Sequence, residues 1–368
     1  MKVITIKQDL VEAIKKVSVA VVSKSILPAL QGILLKAADK KLIIEGYNID
    51  LGIVSTLTDV VVAKEGSIVV EAKMLSSIAS KAGDNKIQIE SDDKNIIHIS
   101  SGKSKFELVG IPADEYPDLP VIHKDESISI TFDKAEPFKQ SIKTVKYACN
   151  EKHPKPLYTG ILLDFDSVNL NIVAVDGYRM AVKKIAVPTK KKFSVVIPKK
   201  PLEEVTKTFN DSDKIEIIIG LRYCAFKKDN NIILTRMIDG TFLDYNQTIP
   251  SISKTKAKVK TKDMLATSER MNLFNNDKII APAKLTVTND NKINFTSKTL
   301  IGLCKDEVNC SIEGEEVTIG FNSSYMCDLL KQIEEEELVI EFSGELSPAL
   351  VKPSDNELHL LVPMRLAN

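Results

Sequence analysis

The sequence has no tryptophan, few aromatic residues and no excess of charge of either sign. Aromatic residues make up 5% of the 368 residues, and 50 Lys and Arg balance 50 Asp and Glu, so the formal net charge is zero. A neutral chain has no strong overall field for nucleic acid, so any basic surface must come from local segregation of charge. The hydrophobic share of 43% is that of an ordinary globular protein, and the length predicts two to three domains.

Cysteine is scarce and unevenly spaced, and long apolar runs are missing. The five cysteines are odd in number, and none has the Cys-x-x-Cys spacing. This argues against a disulfide framework and against a zinc site. The N-terminus alternates like a strand rather than a signal peptide, and nowhere do 18 apolar residues run together. We therefore expect a soluble cytoplasmic protein with reduced thiols.

The common catalytic motifs are missing as well. The sequence contains no Walker A loop, GxGxxG, HExxH or GxSxG motif, and its four histidines are scattered. His98 and His359 fall within strand patterns, and we interpret them as ordinary sheet residues because a catalytic site needs several cooperating groups. We predict no catalytic residues, metal or cofactor. An enzyme on a repeated α+β scaffold remains the alternative.

What the sequence does contain is an internal repeat. Pro28 and Pro156 stand 128 positions apart, and at the same offset Gly32–Leu35 reads as Gly160–Leu163. Internal repeats at a fixed period indicate repeated structural units. With a third, weaker copy, the period predicts three similar α+β domains over residues 1–124, 125–252 and 253–368. We expect the first half of the third copy to be degraded.

Local patterns fill in each repeat. Asp9 and Glu12 have the spacing of a capping box at the start of a helix. In the second copy, residues 138–148 predict a helix whose apolar stripe is followed, one residue on, by Lys139, Lys143 and Lys146. We expect these lysines to point outward. A single lysine stripe is usually only a solvated face, and it becomes a basic track only if several helices share one surface.

Five motifs then give the chain a family resemblance. They are Leu27–Gly32, Glu115–Pro117, Val175–Met180, Gly320–Tyr325 and Val362–Leu366. With these motifs in order on a threefold repeat, the chain resembles the bacterial DNA polymerase III beta subunits, the sliding clamps, from end to end. The resemblance implies a head-to-tail dimer that closes into a ring, with helices inside and antiparallel sheets outside. A clamp paralogue serving a phage-like or repair polymerase is the nearer alternative.

The resemblance also implies partners and sites. Its partners would be a second copy of the chain, encircled duplex DNA, the polymerase III alpha subunit, the clamp loader and other proteins with a clamp-binding motif, but no membrane. The partner-peptide cleft would comprise Tyr158, Val175, Gly177, Tyr178, Arg179, Met180, Pro250, Asn322, Tyr325, Val362, Pro363, Met364 and Arg365.

Two further sets of residues follow from the same reasoning. Lysines predicted to face DNA are Lys24, Lys73, Lys139, Lys143, Lys146, Lys199, Lys200 and Lys207. The predicted dimer seam joins Phe106 and Leu108 to Leu273 and Phe274 of the partner.

The cleft departs from the family pattern at three positions. Tyr158, Val175 and Tyr178 stand where Leu, Thr and His are usual. Either these residues have drifted without consequence, or the pocket is reshaped and its preferred peptide differs.

Overall fold

The computed structural model of the chain describes residues 1–187, 191–273, 275, 281–300 and 302–366. Among these residues, no helix combines the length and the apolar composition needed to cross a membrane. The helices are α1 (Lys7–Val17), α2 (Ala72–Lys81), α3 (Glu136–Val145), α4 (Lys199–Thr208), α5 (Thr261–Asn272) and α6 (Ser323–Leu330).

The strands in the first third of the chain are β1 (Lys2–Ile6), β2 (Gly32–Ala38), β3 (Lys41–Tyr47), β4 (Leu51–Leu57), β5 (Val60–Lys64), β6 (Gly66–Glu71), β7 (Lys86–Ser91), β8 (Ile96–Ser101) and β9 (Ser104–Val109). Those in the middle third are β10 (Ile128–Phe132), β11 (Gly160–Asp166), β12 (Asn169–Val175), β13 (Arg179–Ala186), β14 (Lys192–Pro198), β15 (Ile215–Ile219), β16 (Tyr223–Lys228) and β17 (Asn231–Arg236). The last third contributes β18 (Thr255–Lys260), β19 (Pro282–Thr288), β20 (Lys292–Thr299), β21 (Gly302–Gly314), β22 (Val317–Asn322), β23 (Glu337–Phe342), β24 (Ala349–Ser354) and β25 (Glu357–Leu361).

The first compact unit contains Met1–Glu136 and Lys200–Met237. It holds a five-stranded sheet in the order β5-β1-β7-β8-β9 and an eight-stranded sheet in the order β10-β15-β16-β17-β4-β3-β2-β6. Helices α1 and α2 pack against each other. Each buries one apolar stripe, with Leu10 and Ile14 on α1 and Leu75 and Ile78 on α2, as expected for amphipathic helices over a sheet.

The second compact unit contains Pro137–Lys199 and Ile238–Asn368. Its twelve strands form one antiparallel sheet in the order β14-β11-β12-β13-β25-β24-β23-β18-β21-β20-β19-β22. Helices α5 and α6 pack together over a core that includes Met264, Phe321 and Phe342.

The predicted repeat is confirmed at its strongest signature. Pro28 and Pro156 each begin a 3-10 turn, and these turns lead into β2 and β11, which start at Gly32 and Gly160. The α+β class and the antiparallel pairing follow the prediction. The domain limits at residues 124 and 252 stay a prediction.

The predicted capping box is wrong. Helix α1 begins at Lys7, directly after β1, and its N-cap residue Ile6 makes no side-chain cap. The Lys7 backbone N–H donates instead to the Asn85 carbonyl at 2.7 Å. The start of the helix is therefore held by an external backbone acceptor, and Asp9 lies inside the first turn.

The outward lysine stripe is also wrong in part. Helix α3 ends at Val145, and Lys146–Ala148 continues as a 3-10 turn. The buried face of α3 is broader than one stripe, and Lys139 lies within it at 6% exposure. Lys143 is exposed and Lys146 is half-buried.

The first half of the third repeat is not degraded. Strands β18 to β21 and helix α5 are all formed. In β18 the lysines occupy the exposed positions, alternating with buried Ala257 and Val259. The lysines lowered the apparent hydrophobicity of the segment without changing its period of two.

Candidate functional site

The turn between β12 and β13 is built around one buried carboxylate. Asp176 is 3% exposed, and its Oδ1 accepts the backbone N–H groups of Tyr178 and Arg179, each at 3.0 Å. Gly177 has a φ of +86°, a conformation in which glycine avoids the strain of a Cβ. The result is a tight turn that holds Tyr178 at the surface, 60% exposed.

Arg179 is fixed on every side. Its Nε donates to Asp176 Oδ2 at 2.9 Å, and its Nη1 donates to Asp328 Oδ2 at 2.6 Å. Its Cζ lies 4.3 Å from the ring centroid of Tyr325, and Tyr178 stands 6.1 Å from the same ring. Burial alone would lower the pKa of Arg179, but the hydrogen bonds and charges of Asp328 and Asp176 outweigh burial and raise it. Arg179 is thus a permanently charged side chain that is held in place beside Tyr178 and Tyr325.

The C-terminal segment reaches the same turn. Strand β25 pairs with β13, with Arg179 opposite Leu361, and the Val362 N–H donates to the Tyr178 carbonyl at 2.8 Å. Two residues on, the Met364 N–H donates to the Gly320 carbonyl at 2.7 Å. Residues distant in sequence therefore meet beside Tyr178, as predicted.

A buried apolar cluster lies under this surface. Val175 and Met180 belong to it, and Tyr158 and Val362 pack against it while staying partly accessible. Residues that the sequence reasoning missed complete it: Leu157, Leu162, Val173, Val182, Val196, Ile238, Phe242, Leu243, Tyr245, Ile249, Leu350, Leu358 and Leu360. The motif signal pointed to strand ends, whereas most of these side chains come from strand interiors and from the segment around Tyr245.

The other predicted cleft residues have various roles. Asn322 is the N-cap of α6, and its Oδ1 accepts from Ser324 and Tyr325. Pro363 and Met364 are half-buried, and Arg365 is exposed. Pro250 is half-buried just after the 3-10 turn Tyr245–Thr248. Thr248 in that turn contacts the site, with its Oγ1 3.8 Å from Met180 Sδ.

The first unit contains a second copy of this turn. Asn48 Oδ1 accepts the N–H groups of Asp50 at 3.3 Å and Leu51 at 2.9 Å, and Ile49 has a φ of +78°. Ile49 and Gly177 are 128 positions apart. The Arg236 N–H donates to the Asp50 carbonyl at 2.8 Å, just as Val362 does to Tyr178.

The two copies differ in what covers the apolar surface. In the first unit Leu119 lies on Gly52, with its Cδ2 2.4 Å from where a Cβ of residue 52 would stand. In the second unit the position of Gly52 is taken by Met180, and Ile249, which like Leu119 precedes a proline, packs against the apolar cluster. In the first unit Leu119 therefore covers the apolar surface beside the turn. The second copy is lined by a methionine, whose flexible side chain suits a site that accepts varied ligands.

The first copy also carries backbone strain that can be relieved. A β-branched residue in the left-handed region costs about 1–3 kcal/mol, and Ile49 is 51% exposed, so little packing is lost by replacing it. We expect Ile49→Asn to raise the free energy of unfolding by about 1 kcal/mol, measured by urea denaturation. The converse change, Gly177→Ile, should lower it. An unchanged or lower urea midpoint for Ile49→Asn would show that the strain is compensated locally.

The predicted DNA-facing lysines divide into two groups. Lys24, Lys73, Lys143 and Lys200 are exposed. Lys207 is exposed but paired with Glu204 at 2.8 Å, and Lys199 is largely covered beside Glu151 at 3.6 Å. With Lys139 buried, the exposed Lys24, Lys73, Lys143 and Lys200 are the better candidates for phosphate contact.

The predicted seam residues lie at sheet edges and a helix end. Phe106 and Leu108 are half-buried on β9, the last strand of the five-stranded sheet. Leu273 is 77% exposed at the C-terminal end of α5, and Phe274 lies outside the described residues.

Among the residues that the structure describes, no three His, Cys, Asp or Glu side chains are grouped as metal ligands would be. The groups at the site are instead apolar and aromatic side chains around one arginine. Such a surface suits the binding of an apolar group of a ligand.

Comparison with known proteins gives a consistent result along the chain. Three family models match, described as the N-terminal, central and C-terminal domains of the DNA polymerase III beta subunit, over residues 1–120, 134–244 and 246–365.

Individual proteins agree. The "Beta sliding clamp" of Bacillus subtilis is 31% identical over 98% of this chain and 99% of that protein. That of Halalkalibacterium halodurans is also 31% identical, over 96% and 97%. The crystal structure of the Bacillus subtilis DNA polymerase sliding clamp superimposes with a TM-score of 0.95 at 30% identity over 100% of both chains. A putative DNA polymerase III beta subunit from Eubacterium rectale gives 0.92 at 25% identity over 99% of both chains.

Proposed function

The chain belongs to the DNA polymerase III beta subunit family and is a DNA sliding clamp, and we propose that it recruits its polymerase through the peptide site beside Tyr178. A clamp is a processivity factor, a non-catalytic accessory subunit that works as a homodimer on DNA. As specific partners we propose the polymerase III alpha subunit, the clamp loader and other proteins with a clamp-binding motif, all in the cytoplasm.

The observation that carries the proposal is the convergence of two distant segments on one apolar surface. The turn Asp176–Arg179 and the segment from Val362 to Met364 meet by backbone hydrogen bonds, and both border the cluster around Met180. Burying a large apolar side chain contributes about 1.5–3 kcal/mol. Two such anchors contribute about 3–6 kcal/mol, so micromolar binding, at about 8.2 kcal/mol, also needs further contacts of the peptide.

We propose that Tyr158, Val175 and Tyr178, which stand where Leu, Thr and His are usual in the family, reshape the pocket. Tyr158 stacks edge-on against Phe242, with the ring centroids 6.1 Å apart, and against His153 at 4.9 Å. Tyr178 faces Tyr325. These contacts tie the two tyrosines into the site, which favours a peptide preference of its own over neutral drift.

We propose further that three domains, over residues 1–124, 125–252 and 253–368, form half of a ring with helices inside and sheets outside. Two unpaired strand edges support head-to-tail closure. Strand β9 pairs only with β8 in the described residues. The half of β21 that pairs with β20, Gly302–Asn309, likewise has no strand on its other side there.

The test of the ring is retention on DNA. A closed ring should stay on circular duplex DNA after loading and be lost when that DNA is linearised, because it slides off the ends. Equal retention on both would indicate ordinary surface binding and reject the sliding clamp assignment.

The exposed lysines predict how DNA binding depends on salt. We expect replacement of Lys24, Lys73, Lys143 and Lys200 by alanine to reduce the slope of log affinity against log salt, by about 0.9 for each phosphate that the protein no longer neutralises. The affinity should fall equally for all DNA sequences. Binding of a short duplex at several salt concentrations measures both effects.

A matched control keeps the charge change the same. Lys40, Lys94, Lys103 and Lys124 are also exposed, in strand turns or in a 3-10 turn. Their fourfold replacement should leave the slope unchanged. Equal slopes for the two variants would mean that DNA does not contact the first set.

A further inference from the structure

A continuous polar chain runs through the seam between β13 and β25. Lys183 Nζ lies 2.5 Å from Glu357 Oε2, and Glu357 Oε1 lies 2.7 Å from His359 Nε2. His359 Nδ1 lies 2.9 Å from the Tyr147 hydroxyl. His359 is 0% exposed and Glu357 is 7% exposed. The strand pattern around His359 predicts only an ordinary sheet residue, since nothing in the sequence joins it to Tyr147.

The polar chain of Lys183, Glu357, His359 and Tyr147 centres on the charge of Glu357. Burial alone would raise the pKa of Glu357, but the hydrogen bonds and charges of His359 and Lys183 lower it. Glu357 is therefore a carboxylate, so the N–H at His359 Nε2 donates to it, and His359 Nδ1 shares a hydrogen bond with the Tyr147 hydroxyl. Burial of the Tyr147 hydroxyl raises its pKa well above the ordinary value, so the phenol stays protonated as this arrangement requires.

The polar chain does more than hold β13 and β25 together. In the first unit the equivalent seam joins β4 to β17, and there Ser55 and Asn231 make a neutral hydrogen bond of 2.9 Å. Ser55 stands 128 positions before Lys183, and Asn231 stands 126 positions before Glu357. The position of His359 is taken by the buried Ile233. Buried ionic groups often stabilise less than apolar residues of similar size, so the second seam carries a costly arrangement where the first carries none.

What distinguishes the second seam is the peptide site above it. The Tyr147 ring lies under the Arg179 guanidinium, with Cζ 5.4 Å from the ring centroid. Arg179 is thereby held between Tyr147 and Tyr325, the latter at 4.3 Å. If the Tyr147 hydroxyl loses its buried partner, it is left unsatisfied at a cost in free energy unless the ring shifts, and a shifted ring would no longer lie under Arg179.

We infer that His359 is a positioning residue for the partner-peptide site, acting through Tyr147 on Arg179. This inference rests on the proposed function of that site. It predicts that peptide affinity depends on the hydrogen bond between His359 and Tyr147.

The experiment measures binding of a fluorescent synthetic peptide that carries the clamp-binding motif of the polymerase alpha subunit from the same organism, using the full dimeric protein. We expect His359→Leu to weaken binding about tenfold and to lower the thermal unfolding midpoint, because Tyr147 and Glu357 each lose a buried partner. His359→Gln, which can still donate and accept, should stay within about threefold of the native affinity. Tyr147→Phe, which removes only the hydroxyl, should weaken binding about threefold. Asn231→Leu in the first seam should not change peptide binding.

The outcomes distinguish failure of the positioning role of His359 from failure of the proposed peptide site. Native affinity in His359→Leu, or equal losses in His359→Leu and His359→Gln, would overturn the positioning role. If His359→Leu does not fold, native affinity in Tyr147→Phe overturns it instead. Failure of the unmodified protein to bind the peptide would reject the proposed site itself.

Discussion

Met364→Asp is expected to abolish stimulation of the polymerase while the dimer stays intact. Met364 is half-buried beside Gly320, to which its N–H donates, and its neighbour Val362 packs against the apolar cluster. A carboxylate at this position would have to be desolvated by any apolar anchor that binds there. We expect a loss of peptide affinity of at least about 100-fold, which corresponds to about 2.7 kcal/mol. Primer extension on a singly primed circular template measures the stimulation, and sedimentation measures the dimer.

The closest control places the same charge on an apolar surface residue of the first unit. Leu221 is 78% exposed there, so Leu221→Asp introduces a carboxylate outside the second unit. It should leave stimulation unchanged. Processive synthesis by Met364→Asp would mean that the polymerase is recruited by another surface. Loss of stimulation in both variants would point to a nonspecific effect of charge.

The sequence predicted the repeat and the turn because both depend on local chemistry. The turn needs an Asp or Asn, then a residue at positive φ, and two backbone N–H groups that donate to the Asp or Asn side chain. All of these lie within four consecutive positions. Hence Asp176–Arg179 could be placed without any knowledge of packing. Its copy at Asn48–Leu51 escaped notice because isoleucine at position 49 does not signal a left-handed residue.

Two of the errors, at Asp9 and at Lys139, have a common physical origin in tertiary contacts. Asp9 does not cap α1, because the Lys7 N–H at the start of the helix donates to the carbonyl of Asn85 on a neighbouring segment. Lys139 is buried because the covered face of α3 is wider than its apolar stripe. Neither the acceptor nor the width of the face is contained in the local pattern.

The polar chain behind the site could not be predicted for the same reason. Tyr147 and His359 are 212 residues apart, and a lone strand histidine is most often an ordinary sheet residue. Only the pairing of β13 with β25 brings Lys183 opposite Glu357. The meeting of the turn with the C-terminal segment could therefore be predicted from motifs, whereas the residues packed beneath them could not.

The dimer seam yields the second large effect, because one substitution acts twice. In a head-to-tail dimer with twofold symmetry both interfaces contain the same residues. Strand β9 and the free half of β21 each present unpaired backbone groups, a situation that soluble proteins usually cover. Joining them would extend one antiparallel sheet across the subunits. Leu273 and Leu303, which are 77% and 52% exposed, would then be shielded from water.

Phe106→Asp and Leu273→Asp are therefore each expected to give monomers of 40.7 kDa in sedimentation velocity at micromolar concentration. Placing a carboxylate in an apolar seam costs on the order of 3 kcal/mol, and the ring contains two seams. The monomers should fold and bind the partner peptide normally, because that site lies within one subunit, yet they should not remain on circular DNA. Val61→Asp is the matched control, since Val61 is 63% exposed on β5, the opposite edge of the same five-stranded sheet. A dimer in Phe106→Asp, or a monomer in Val61→Asp, would place the seam elsewhere.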